Sequence, residues 1–251
     1  MAEAAHGVRE TSVWLKDKAR RGGRGGGQPG LDRDRVTEAA VRLLDAEGLA
    51  RFSMRRLAAE LNVTPMSVYW YVDTKDDLLE LALDAVMGEF RLPDAAAGED
   101  WRDQLRALAR EYRGLLVRHP WVSPLAGTFL NIGPNYLAFS RTVQRVVRRT
   151  GVPEHRVTSV ISAVFQFVYG YGTLEGHFLA GAAASGLGPD DYFRHAMTAV
   201  SDVPQAAEVI EESKKIMAAR GGGTVAEMME RDFEYALDLL TAGIEVMVAR
   251  G

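Results

Sequence analysis

Apolar residues along this chain recur three and four positions apart, with polar residues between them. Val36, Ala39, Ala40, Leu43 and Leu44 follow that spacing, which gathers side chains on one face of a helix. Asp32 and Asp34 suit the positive N-terminal end and Gly48 supplies a stop, so residues 32–47 are expected to form an amphipathic helix. Ser53 can cap a second helix with Leu57, Ala58 and Leu61 on its inner face, and Asn62 fits the left-handed turn after it. Thr64-Pro65 starts a third helix of about eight residues at once, with Val68 and Val72 turned inward. A supporting helix followed by two short helices about a tight turn is the helix-turn-helix pattern, whose last helix enters the major groove of DNA.

The pattern changes after Phe90, where LPDAAAGED breaks the chain. Trp101 to His119 carries Leu105, Leu108, Tyr112, Leu115 and Leu116 at helical spacing, PWVSPLAGT reads as a short proline-edged element, and residues 134–149 as a helix. Pro153 opens a long helix to about Ala180, apolar on more than one face, so it must be buried on several sides. From AAASGLGPDD onward the pattern is weak, with a short helix near 206–219, until Val225–Val248 shows Met229, Phe233, Ala236, Leu237, Leu240, Ile244 and Met247 in one stripe. The chain therefore reads as all-α in three parts: a flexible basic arm over 1–30, a helix-turn-helix domain with its linking helix over 31–92, and a larger helical domain for ligand binding and dimerisation over 93–251. The two long striped helices, near 153–180 and 225–248, need a cover. Pairing them with a second copy in a four-helix interface supplies one, and a two-fold homodimer presents two recognition helices to a palindromic operator.

Composition narrows the function. The 251 residues are 47% hydrophobic, enough for a substantial core, and the absence of cysteine excludes disulfides, thiolate metal sites and a cysteine nucleophile. No run of about 18 apolar residues and no hydrophobic signal core are seen, so no membrane association and a cytoplasmic location are expected. With 34 acids against 30 bases the net charge is −4, and any DNA affinity must come from a local patch. One candidate is the Gly-rich stretch holding Lys16, Lys18, Arg20, Arg21 and Arg24 against Asp17, either a solubilising tail or a phosphate or minor-groove contact. The basic face of Arg141, Arg145, Arg148 and Arg149 reads as a solvated surface. His6, His119, His155, His177 and His195 show no metal-ligand spacing, and no phosphate loop, nucleophile elbow or strand-led dinucleotide motif occurs, so neither an enzyme nor a cofactor is expected.

The third helix carries Tyr69, Trp70 and Tyr71 in succession, too many rings for one short inner face already holding two valines. Flat side chains with a donor suit packing on sugar and donation to phosphate, and Thr64 and Ser67 are short enough to reach phosphates at the groove edge. An arginine fork fits the O6 and N7 of guanine, which makes Arg55 the candidate base reader. Lys75 stands before Asp76 and Asp77 at a helix start, where its charge and the backbone amides make an anion site.

The stretch SMRRLAAELNVTPMSVYWYVDTKDDLLELALDAVMGEF resembles the N-terminal DNA-binding domain of the TetR family of transcriptional repressors. The resemblance implies DNA contacts at Arg55, Pro65, Met66, Ser67, Tyr69, Trp70, Tyr71 and Lys75, with Arg55 reading a guanine edge and Tyr69 and Lys75 holding phosphates. Pro65 stands where the tetracycline repressor has a glutamine, so that operator sequence does not carry over. FEYALDLLTAGIE at 233–245 is similar to the closing helix of the tetracycline-repressor branch, which implies a ligand-responsive repressor released by a small-molecule effector; the alternative is a DNA-architectural or adaptor protein without one. Polar residues set in the apolar helices, Asn131, Gln144, Gln166, Glu175 and His177, with His119 and Trp121 at a helix junction, are candidate effector contacts. Ala126 replaces the histidine that binds the drug's magnesium in the tetracycline repressor, so metal-tetracycline recognition is not expected.

Overall fold

A computed structural model describes residues 12–16, 30–94, 98–201, 207–219 and 223–250, and every regular element among them is helical. Helix α1 (Arg33–Glu47) begins where the Asp32 carboxylate accepts the Arg35 amide and ends at Gly48, whose φ of 75° takes the chain out of the helix. Helix α2 (Met54–Glu60) is capped by Ser53, Asn62 adopts a φ of 53° in the turn, and Thr64 caps α3 (Pro65–Tyr69) with proline at its first position. Val36, Leu57, Val68 and Leu78 are fully buried and fasten these helices to α4 (Lys75–Met87).

Helix α4 runs on into the second group, where α5 (Trp101–Arg118), α6 (Pro134–Arg148) and α7 (Val157–Ala184) pack around Leu105, Leu108, Leu115, Leu116, Val146 and Val164. Helices α5 and α7 cross closely because Gly172 and Gly176 face α5: a Cβ at either would lie 3.1 Å from Leu116, meeting its side chain in the first case and its carbonyl oxygen in the second. Helix α10 (Val225–Ala249) lies beside α7, tied by Arg113, which forks onto Glu175 at 2.6 and 2.9 Å, reaches Glu230 at 2.6 Å and sits over the Phe233 ring. That network uses up Glu175.

The structure departs from the sequence reading in four places. Helix α3 has five residues rather than about eight, since Trp70 already ends it. The stretch after Gly188, read as weakly patterned, holds a full helix, α8 (Pro189–Ser201), ahead of α9 (Ala207–Ala219); Tyr192, Phe193, Ala196, Met197 and Val200 recur at helical spacing along α8, although most of its residues are exposed. The third concerns the expected free arm: Ser12–Lys16 packs against α4, with Ser12 and Val13 buried, while residues 1–11 and 17–29, including Lys18, Arg20, Arg21 and Arg24, lie outside the described residues. Finally, Glu154–Ala184 is long and apolar enough to cross a bilayer by length and composition, although no unbroken apolar run marks it. Within one chain α7 buries only Val157, Val164, Val168, Gly172, Gly176 and Ala182 among its own residues.

Candidate DNA interface and effector cavity

On the outer surface of the first three helices the expected DNA residues form one face. Thr64, Pro65 and Met66 are exposed at the start of α3, with Met66 at 70% of its full accessibility, and Tyr69 and Trp70 follow at 38% and 45%. The Thr64 hydroxyl accepts the Ser67 amide and lies 2.9 Å from the Ser67 hydroxyl, which fixes both at the tip. Arg55 is exposed on α2, whereas its neighbour Arg56 is held by Glu47. Tyr71 departs from the group: its ring packs on the core and its hydroxyl is buried with no hydrogen-bond partner among the described residues. Lys75 is half-buried, donating to the Phe52 carbonyl at 3.1 Å and lying 5.5 Å from the Phe52 ring centre. An ammonium has three donors, so this contact aims the group and leaves donors for a phosphate.

Helix α4 leads from Lys75 to a cavity of about 590 Å³ lined mainly by α4, α6, α7 and the stretch 122–133 between α5 and α6. Glu80, Leu83, Asp84 and Met87 bring α4 to its wall, and Tyr112, Tyr136, Phe139, Phe165 and Tyr169 supply rings. Tyr112, Phe139 and Phe165 touch one another with centroids 5.6–6.1 Å apart. Burial pushes the Tyr112 hydroxyl well above the usual phenol range, with Tyr136 and Tyr169 adding to the shift, so it remains a neutral donor. Asp84 accepts the Tyr136 amide at 2.9 Å and the Asn135 amide at 3.3 Å, gripping the first turn of α6. Burial raises its carboxyl above the ordinary value against the pull of those two amides. Gly133 is what admits Asp84, since a Cβ there would collide with its carboxylate.

Of the residues expected around an effector, Asn131 and Gln166 line this cavity, as does Ala126. The others lie elsewhere. Gln144 bonds to Ser140 on its own helix, Glu175 is engaged by Arg113, and His177 is exposed. His119 and Trp121 join the two groups of helices: the Asp45 carboxylate of α1 receives the Trp121 indole at 2.7 Å and the His119 Nδ1 at 2.6 Å, while His119 Nε2 lies 3.2 Å from Glu89. Burial opposes a charge on His119, but Asp45 and Glu89 outweigh it and hold its pKa above the ordinary value. Sequence spacing had no means of finding Glu80, Asp84 or Trp14, because which polar side chain of α4 faces the cavity depends on packing from three other helices. Two arginines of α6 and the Arg149 that follows it are also engaged within the chain: Arg145 with the Pro93 carbonyl, Arg148 with Glu154, and Arg149 with Gln104 and the Glu99 carbonyl. No group of three potential metal ligands occurs among the described residues.

Comparison with known proteins fits this division. Residues 36–82 match the family described as bacterial regulatory proteins, tetR family, and residues 92–248 match the tetracyclin repressor-like C-terminal domain. The HTH-type transcriptional repressor DrrR1 of Streptomyces coeruleorubidus is 32% identical over 97% of this chain and 87% of its own length. An HTH-type transcriptional regulator of Saccharopolyspora erythraea is 44% identical over 57% of this chain, and that match spans 60% of the relative. Among solved structures, ActR of Streptomyces coelicolor in complex with actinorhodin aligns over 87% of this chain and 98% of its own with a TM-score of 0.67 at 25% identity. BioQ with its double-stranded DNA operator shares the fold, with a TM-score of 0.55 at 22% identity over 86% of this chain and 99% of its own. With a DNA-type face on its first three helices, an aromatic cavity behind them and both family domains matched in order, the chain belongs to the TetR family of transcriptional regulators.

Proposed function

We propose that the protein is a ligand-responsive repressor that binds a palindromic operator as a homodimer and is released by a small-molecule effector. The observation that carries this reading is that one helix serves both sites: α4 starts at Lys75 beside the DNA face and, within 13 residues, puts Leu83, Asp84 and Met87 on the cavity wall. A ligand that shifts α4 moves the recognition helix with it. Two recognition helices one DNA turn apart, about 34 Å, tolerate little change in separation.

The homodimer reading is supported by apolar side chains on the two long helices. Leu174 of α7 and Tyr235, Leu239, Val246 and Met247 of α10 are all between 47% and 72% exposed in the single chain. Relatives support the two ligand classes: ActR is seen in complex with actinorhodin and BioQ with operator DNA. By the same reasoning the protein acts on operator DNA in a bacterial cytoplasm, without catalytic chemistry.

The test is to select bound sequences from a random duplex pool, then follow their anisotropy while a library of aromatic metabolites and antibiotics is added. Enrichment of a two-fold symmetric site and its release by at least one compound are expected. Selection of no preferred sequence would contradict the repressor reading, and a preferred sequence that no compound releases would favour a DNA-binding protein without an effector.

A further inference from the structure

Trp14 lies on the cavity wall although it precedes both matched domains, which begin at residues 36 and 92. Its segment is fastened to α4 by buried groups. Glu80, 3% exposed, accepts the Ser12 hydroxyl at 2.5 Å and the Val13 amide at 2.8 Å, one on each carboxyl oxygen. Lys16 then pairs with Asp77 one turn earlier on α4 at 2.5 Å, and Val13 enters the main core at 6% exposure. A carboxyl group buried on an apolar helix is costly without donors, and here both oxygens receive one from this segment. Glu80 and Trp14 line the same cavity, so the fastening and the wall are one structure.

We propose that Ser12–Lys16 is a working part of the effector site: Trp14 is a wall against which a flat aromatic effector packs, and Glu80 and Asp77 are the positioning residues that hold it there. This rests on reading the cavity as the effector site. The chemistry of the lining selects the ligand class. Trp14 adds a ring to those of Tyr112, Tyr136, Phe165 and Tyr169, while Asn131 and Gln166 offer amides to polar substituents at a ligand's edge, so the site fits a polycyclic aromatic molecule bearing carbonyl or hydroxyl groups. Because the segment is bound to α4, the helix shared by the DNA face and the cavity, ligand packing on Trp14 bears directly on the element that carries the switch.

The chain contains no cysteine, so Ser140→Cys on the cavity wall gives a single attachment point for a bimane fluorophore, which a nearby indole quenches. Trp14→Phe is expected to raise the bimane emission at least about twofold, Glu80→Gln with Lys16→Ala to raise it in the same direction, and Trp101→Phe to leave it unchanged. N-phenyl-1-naphthylamine, a neutral aromatic dye that brightens out of water, then reports the wall itself. The full-length chain is expected to take up the dye and Trp14→Ala to weaken that uptake at least about threefold, with circular dichroism confirming the fold of each variant. Bimane emission unmoved by Trp14→Phe, or dye uptake absent from the native chain or unaltered by Trp14→Ala, overturns the proposal. Neither measurement uses DNA, so failure here is separate from failure to select an operator.

Discussion

At the scale of single residues, we propose that Arg55 reads the operator and Lys75 holds it. Arg55 is exposed, with a fork that fits one base edge, whereas the Lys75 ammonium is anchored by the Phe52 carbonyl and offers its remaining donors. Arg55→Ala is expected to cost about 1–3 kcal/mol on the selected operator with little effect on random DNA, and Lys75→Ala to weaken both alike and flatten the salt dependence, as fluorescence anisotropy at several salt concentrations would register. Equal losses on both DNAs for Arg55→Ala would remove it as the base reader. His119 makes a second prediction. Its pKa is raised in the fold by Asp45 and Glu89 against burial, so its stabilisation is complete below the ordinary histidine value of 6.5 and is lost as pH rises through the raised one. Each tenfold gain in proton affinity on folding is worth about 1.4 kcal/mol. Urea unfolding from pH 6 upward should show the native chain losing its advantage over His119→Gln as the imidazole discharges. An advantage that grows with pH would mean the contact works with neutral histidine. Much at this scale was legible beforehand: Ser53, Asn62, Thr64 and Pro65 act locally, and their roles follow from side-chain reach and φ alone. The assignments of His119, Trp121 and Glu175 to the cavity failed because a polar residue in an apolar helix can face either a ligand or a partner on another helix, and Asp45 and Arg113 were the partners.

At the scale of elements, helical periodicity located α1, α2, α5, α6 and α10 to within a few residues, since each buries a recurring set of apolar residues. Helix α8 was missed although Tyr192, Phe193, Met197 and Val200 recur at helical spacing, and the N-terminal segment because five residues held by hydrogen bonds to Glu80 and an ion pair to Asp77, with only Ser12 and Val13 buried, leave no periodic trace. That packing alters what truncation does. Removing residues 1–16 strips Glu80 of two donors and uncovers what Val13 covers, and is expected to cost on the order of 2 kcal/mol in urea unfolding. Removal of residues 1–11 alone leaves those contacts in place. A 1–16 deletion as stable as the native chain would show that the segment's contacts contribute nothing net. The exposed sides of α7 and α10 make another prediction: Leu239→Glu buries a charge in each half of a two-fold interface and should raise the dimer dissociation constant by more than about tenfold, measured by sedimentation. A native chain already monomeric at micromolar concentration would leave that face needing a different cover.

For the whole molecule, Lys75, Glu80 and Asp84 lie along one helix, so the proposed operator contact, the N-terminal segment and the proposed effector cavity meet on a single element. Asp84 joins it to α6 and the Asp45–His119 contact joins α1 to the end of α5, giving any ligand-driven shift two routes into the DNA-binding helices. Thermodynamic linkage then fixes a reciprocal rule: whatever factor the effector takes from DNA affinity, operator takes from effector affinity. The most direct measurement is calorimetry with a compound found by thermal shift, titrated into the free protein and into its operator complex. Weaker binding to the complex, by the same factor by which the compound weakens operator binding, is the predicted result, and equal affinity for the free and DNA-bound protein would contradict it.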